Sequence, residues 1–460
     1  MKALVCVRFV GGDLQPFDAC ALELGLRLAE KVTVLSLGPL SVREPLRALT
    51  RLGVGRAVLL SDPAFAGADT LATAHALASA AKHLDFDCIF CGRTTTEGET
   101  GQVGPMLATL LGLPLLPGVM AVGTEGLALR DGRTVPPPTR ALLTVERGFP
   151  LRFPSLRSRM GDVEVFDRAM LGLAPDDCGL AASPTRVLAA RNAAVGERRC
   201  RMISLSELPA LLAALRTAEK RAVGEFPPSE EKLPHTVAVG EESLSAAYAV
   251  GARVTSLAAE DPAALADALR TLDPDAVFFP ATDAGRNLAP QVAALLGAGL
   301  CADCTALAVR EGRLILTRPA RGGSTVADII CRSRPAMATV RCTCTGADVM
   351  LGGGLGVAGQ RAAFLSLAAR LGARPAASRP LVDRGDAPYA EQIGLTGANA
   401  SCKVYLAVGL SGAVQHTCAL GGADTVIAVN PDRSARIFSC ADYGVCATFQ
   451  ELCAAFSDGG

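Results

Sequence analysis

Two short, largely apolar runs near the C-terminus, Val404–Val408 and Thr425–Val429, constrain the fold more than any other part of the chain. Each reads as a strand buried on both faces of a parallel sheet. Each is followed at its carboxyl end by small and polar residues, Gly409-Leu-Ser-Gly-Ala-Val-Gln-His416 after the first and Asn430-Pro-Asp432 after the second. Open α/β sheets bind nucleotides at that end. Gly409, Ser411 and Gly412 leave the backbone uncovered. A helix starting there would offer free N–H groups to an anion. Gln415 and His416 add side-chain hydrogen bonding within one turn.

The N-terminal part alternates strand and helix patterns. Strands read at 3–10, 32–38, 56–60 and 87–91, with helices at 17–29, 42–52 and 70–83 between them. This order implies a doubly wound parallel sheet and an α/β fold class. Ser41 with Glu44 has capping-box spacing, and Gly53 supplies a helix stop. The strand at 87–91 leads through a polar loop to a helix carrying Pro105 and closing at Gly112. The strand beginning at Asp275 leads in the same way to Pro290 and Gly297, at the same separation. This echo suggests two copies of one nucleotide-fold unit, each with Pro in the first turn of its helix.

Aromatic residues make up only 4% of the chain and Trp is absent, which suits helices packed on sheets better than a base-stacking surface. Lys+Arg and Asp+Glu are equal at 45 each, so the charge balance gives no footprint for nucleic acid. No apolar run reaches the length of a membrane span, and the N-terminus reads as a strand rather than a signal peptide. Sixteen Cys without an export signal imply a reducing, cytoplasmic setting and mostly buried thiols. Three close Cys pairs, Cys88/Cys91, Cys301/Cys304 and Cys342/Cys344, raise the question of metal. Buried thiols are the better reading, with no metal ligand set assigned.

The stretch 392–444 resembles the FAD-binding domain of the α subunit of electron transfer flavoproteins. The resemblance rests on Gln392-Ile-Gly-Leu-Thr-Gly397, Gly409–His416, Ala428-Val-Asn-Pro-Asp432 and Ala441-Asp-Tyr-Gly444, with Ser378-Arg379 upstream. The N-terminal half looks like the β subunit of the same heterodimer. The chain is therefore identified as a β–α fusion, β-like half first. The resemblance implies an adenine-nucleotide-hydrolase-like fold in the β half (1–220) and in α domain I (235–345). A linker at 221–234 separates these, and a Rossmann-like FAD-binding domain fills 346–460.

For FAD the resemblance implies a set of contacts. Arg379 would lie against the isoalloxazine ring and favour negative charge on it, Thr396 near N5, and His416 near the pyrimidine carbonyl. Ser378, Ser411 and the backbone of Gly412, Ala413, Val414 and Gln415 would hold phosphate or ribityl oxygens. Asn430 would reach the adenosine end, and Ile393, Gly394 and Leu395 would complete the wall. There are departures: Gly354 stands where the family has Arg, Ala398 where it has Lys, and Thr448 where it has Asp. In the β half, Cys91–Pro105 resembles the family's nucleotide loop, and Gln15-Pro-Phe-Asp18 its Asn-Pro segment. Cys6, Gln15, Asp18, Thr95, Thr96, Gly98, Glu99, Thr100, Gly101, Gln102 and Val103 would hold AMP or a second FAD.

The implied activity is electron transfer from partner flavin dehydrogenases, through FAD, to a downstream acceptor. One alternative is an electron-bifurcating component with two FAD and NADH oxidation. The other, motivated by the departures, is a non-redox adenosine-nucleotide-binding protein. Leu156, in an Arg-flanked loop, is a candidate docking anchor for a dehydrogenase.

Overall fold

The computed structural model describes residues 1–192, 198–217, 226–321, 325–341, 343–344, 347–394 and 397–457. The chain falls into two compact units. One comprises 1–189, 228–321 and 327–340; the other comprises 190–227, 322–326 and 341–460.

The first unit is built on two parallel sheets. In the larger, β1 (Lys2–Cys6), β2 (Lys31–Leu37) and β3 (Arg56–Leu60) lie side by side. β4 (Cys88–Gly92) then pairs on the opposite flank of β1. The direction of winding therefore reverses between β1 and β4, where Cys6 stands opposite Cys91. Two further parallel strands, β5 (Leu115–Gly123) and β6 (Ala141–Val145), extend the sheet beyond β4. β7 (Val163–Phe166) closes the other edge against β3. The strands are apolar on both faces because helices cover both, among them α1 (Pro16–Leu28), α2 (Thr70–Ala81) and α3 (Val103–Leu110).

The smaller sheet is also parallel. It contains β8 (Leu233–Val239), β9 (Gly251–Leu257), β10 (Ala276–Pro280), β11 (Leu300–Cys304) and β14 (Ala336–Val340). Between the last two runs an antiparallel hairpin, β12 (Ala306–Arg310) and β13 (Arg313–Ala320).

The second unit holds a third parallel sheet. β15 (Val349–Gly353) is flanked by β16 (Arg374–Ala377) on one side and β17 (Asn399–Val408) on the other. β18 (Gly422–Val429) and β19 (Tyr443–Val445) follow outward. Here the winding reverses between β15 and β17. The α/β class and parallel sheets agree with the sequence expectation.

Three local expectations fail. The first strand stops at Cys6, because Gly11 and Gly12, both at positive φ, fold Phe9-Val10 back on Asp13-Leu14. The Ser41/Glu44 capping box does not form. Pro39 leads into a short 3-10 turn at Leu40–Val42, no side chain caps it, and Glu44 instead faces Arg47. Pro290 is not in a first turn: α4 runs Asp283–Leu296, and the Thr282 side chain caps it by accepting from the Gly285 N–H. Gly53 and Gly297 do end their helices in the left-handed conformation.

Candidate functional site

In doubly wound sheets ligands bind at the carboxyl ends of the strands where the winding reverses, and the loops there form the two candidate sites. In the first unit a cavity of about 530 Å³ opens there. Its wall includes Cys6 of β1, Leu37 of β2, Cys91 of β4 and the loop that follows Gly92. That size suits a nucleotide-sized ligand.

The loop is shaped from its backbone upward. Glu99 (φ 54°) and Gly101 (φ 65°) adopt left-handed conformations, so helical geometry begins only at Val103. Among the described residues, the N–H groups of Thr100, Gly101, Gln102, Val103 and Gly104 donate to no protein acceptor. They face outward at a helix N-terminus, an arrangement that attracts anions.

Side chains pin this loop from three directions. Gln15, buried at the start of α1, accepts from both the N–H (3.0 Å) and the hydroxyl (2.7 Å) of Thr96. Gln102 is buried, accepts from the Thr70 hydroxyl at 2.7 Å and donates to the Leu300 carbonyl at 3.3 Å. Asp18 is buried in the first turn of α1 and accepts from the N–H groups of Arg8 (2.8 Å) and Gly92 (3.2 Å). Burial pushes its carboxyl up to about 7, against the pull of those two bonds and of the Arg8 charge.

Of the residues expected for this site, Cys6, Asp18, Thr95, Gly98, Thr100, Gly101, Gln102 and Val103 line the cavity. Gln15, Thr96 and Glu99 do not; the first two hold each other and the third supplies the turn. Sequence reading missed Thr70, Cys301 and Arg318, which also face the cavity. No local signal marks them, because their contacts to the loop span long sequence separations.

In the second unit the winding reverses between β15 and β17, which stay paired to Gly353 and Val408. The loop after β15 packs on the loop after β17, with the Gly356 N–H donating to the Gly409 carbonyl at 3.1 Å. The N–H groups of Leu410, Ser411, Gly412 and Ala413 donate to no protein acceptor among the described residues. Asn430 fixes this loop: its Nδ2 donates to the Leu410 carbonyl (3.0 Å) and its Oδ1 accepts from the Asp432 N–H (2.9 Å).

His416 sits in the short helix Val414–Thr417, buried. Its Nε2 lies 2.9 Å from the hydroxyl of Tyr405, a residue of β17 with no exposed surface. Tyr405 can occupy that place only because residue 352 is glycine; a Cβ there would stand 2.0 Å from the Tyr405 oxygen. The other ring nitrogen, Nδ1, is buried without a hydrogen bond of good geometry. Burial lowers the imidazole to about 4, against a backbone hydrogen bond at Ile393 that raises it, so the ring is neutral at pH 7. The donor and acceptor roles in the Tyr405 bond follow the tautomer of the ring: where Nε2 accepts, the proton stands on Nδ1, on the side of the Ile393 backbone.

Three segments meet around this histidine. The Ile393 N–H donates to the Ala377 carbonyl at 2.9 Å, next to Ser378. Ser378 is buried and donates its N–H to the Gly353 carbonyl at 2.8 Å. Gly394 lies against the Gln415 carbonyl, where a Cβ would approach to 2.9 Å. Ser411, Ala413 and Gln415 are exposed, Val414 is half-buried and Gly412 is buried. Arg379, also half-buried, reaches Asp383 at 3.3 Å. Leu395 and Thr396 lie outside the described residues. The buried imidazole of His416, the open N–H groups of 410–413 and the neighbouring Ser378 and Gly394 fit a phosphate-bearing cofactor with a heteroaromatic head.

Thr448, one of the departures from the expected pattern, caps its own helix in a box with Glu451. Among the described residues no His, Cys, Asp and Glu cluster could hold a metal ion, and no helix is long and apolar enough to cross a membrane.

A cavity at one winding reversal and a loop of open N–H groups at the other define a doubly wound nucleotide-binding protein. Residues 3–167 and 197–376 match the electron transfer flavoprotein domain, and 343–421 match the electron transfer flavoprotein FAD-binding domain. The chain belongs to the electron transfer flavoprotein family, and joins a β-like and an α-like half in one polypeptide. It is 38% identical over 194 residues to an electron transfer flavoprotein subunit beta of Thermoanaerobacterium thermosaccharolyticum, covering 38% of this chain and 74% of that protein. It is 33% identical over 229 residues to the subunit alpha of the same organism, covering 40% and 69%. Protein FixB of Bradyrhizobium diazoefficiens is 35% identical over 237 residues, covering 41% of this chain and 64% of that protein.

Proposed function

We propose that this chain carries electrons through an FAD held by the second unit, accepting them from a partner flavin dehydrogenase and delivering them to a second redox partner. The observation that carries this reading is the buried imidazole of His416 beside the open N–H groups of 410–413. FAD, when bound, supplies the electron-accepting ring; the protein needs no nucleophile or general base of its own. Ser378, Arg379, Ile393, Gly394, Leu395, Thr396, Ser411 to His416 and Asn430 are the proposed contacts. Where Tyr405 donates to Nε2, neutral His416 holds its proton at Nδ1. The N–H groups of 410–413 neutralise pyrophosphate charge, and Asn430 keeps that loop rigid. Residues 346–460 would form the FAD domain, 1–220 the β-like domain, and 235–345 the α-like domain I.

The cavity of the first unit would hold AMP or a second FAD on Cys6, Asp18 and the Thr95–Val103 loop, with Gln15 fixing Thr96 and Glu99 supplying the turn. Phe153 and Leu156, both almost wholly exposed, support a docking role for their loop. The described cysteines are free thiols, in keeping with a cytoplasmic setting. Anaerobic titration of the FAD-loaded chain separates the two redox readings. A simple carrier is reduced by a flavin dehydrogenase with its substrate and not by NADH. Direct bleaching by NADH, with two FAD per chain, would move the assignment to the bifurcating alternative.

A further inference from the structure

Arg318 occupies an anomalous position. It comes from β13, far from the N-terminal half in sequence, yet it lines the cavity of the first unit and is only 8% exposed. One guanidinium nitrogen, Nη2, donates to the Gly98 carbonyl at 2.8 Å. Nε is buried with no partner. Arg318 makes no salt bridge among the described residues, unlike its neighbours: Arg93 pairs with Glu146, Arg8 with Glu97 and Arg286 with Asp303. Nor do the carboxylates of the wall serve it. Asp18 is committed to backbone N–H groups and is pushed towards neutrality, and Asp69 bonds the N–H groups of Leu71, Ala72 and Thr185. A buried cation without a counter-charge is costly, and the cost is relieved when an anion enters beside it.

We propose that Arg318 is the charge-bearing residue of a phosphate subsite in this cavity, completed by the N–H groups of Thr100 to Gly104, and that the ligand is a phosphate ester of a nucleoside. The inference rests on the proposed nucleotide reading of the cavity and deepens it. The phosphate lies at the end made by Gly98, the start of α3 and Arg318. The base lies against apolar side chains of the wall, among them Leu35, Leu37 and Val42. The α-like part of the chain thereby supplies a ligand contact to the β-like nucleotide loop. By donating to the Gly98 carbonyl, the same guanidinium holds that loop in its anion-binding shape.

The test is equilibrium binding of AMP, adenosine and inorganic phosphate to the whole FAD-loaded chain, dialysed free of loosely held nucleotide, for wild type, Arg318→Gln and Arg318→Lys. Removing a charge-assisted contact to phosphate is expected to weaken AMP about tenfold to a hundredfold in the Gln variant. Adenosine should bind both proteins alike, and the Lys variant should recover part of the loss. An unchanged flavin spectrum from the second unit controls for folding. Equal AMP affinity in wild type and the Gln variant overturns the assignment while leaving the nucleotide cavity standing. Equal weakening of AMP and adenosine overturns it as well, since Arg318 would then only shape the loop. Inorganic phosphate binding as tightly as AMP overturns the nucleoside part. A wild-type chain that takes up neither AMP nor adenosine overturns the cavity reading itself.

Discussion

Replacing Gly412 by alanine is expected to destabilise the second unit by roughly 2–5 kcal/mol and to strip its flavin. Two effects add. Gly412 has φ +85°, which an L-residue adopts only at a cost of about 1–2 kcal/mol. A Cβ would also stand 2.2 Å from the Ile437 nitrogen and 2.6 Å from its Cα, which are backbone atoms that cannot rotate away. The loop bearing the open N–H groups of 410–413 must then move, and with it the proposed pyrophosphate contacts. Denaturant unfolding together with flavin content measures both consequences. Gly421→Ala is the control, since nothing lies within 4 Å of its Cβ and it needs no positive φ. A Gly412→Ala protein as stable and as yellow as wild type would contradict the loop geometry.

The second large effect is a pH dependence in the first unit. Asp18 titrates near 7 when folded, against about 3.9 in an unfolded chain. Between those values the folded state keeps a proton that the unfolded state has released. Stability therefore falls as pH rises from about 4 to about 7, and levels off above. The full span corresponds to ~4 kcal/mol as an upper bound, reduced where water in the adjoining cavity solvates the carboxylate. His416, lowered to about 4, acts with the opposite sign: its contribution is present above about 6.5 and is lost as pH falls towards 4. The two oppose each other in the whole chain, so the informative quantity is the difference between wild type and Asp18→Asn. The variant's amide faces an N–H group and lowers stability at every pH, but it removes the slope due to residue 18. Stability-against-pH curves of the same slope for the two proteins would sink the assignment.

How much of this was legible in the sequence depends on the range of the contacts. The runs at 404–408 and 425–429 announce buried parallel strands because every neighbour needed for that reading lies within a few residues. Gly409 and Gly412 read in the sequence as backbone left uncovered, whereas a Cβ at either would strike the backbone of Gly356 or Ile437, close approaches that no local signal reveals. The Tyr405–His416 bond was not legible, since it depends on Gly352 in a neighbouring strand making room for a ring. Arg318 was invisible for the same reason: it meets Gly98 across 220 residues of sequence. Local signals also misled where a stronger local force competed. Pro39 set a 3-10 turn before Ser41 could cap anything, and the Thr282 cap started α4 well ahead of Pro290.

The central claim is that the second unit holds FAD. The most direct measurement is the visible spectrum of the purified chain, with its nucleotides released and counted by chromatography. A flavin spectrum and at least one FAD per chain are expected, accompanied by AMP or a second FAD from the first unit. A colourless chain that stays colourless after incubation with FAD would contradict it.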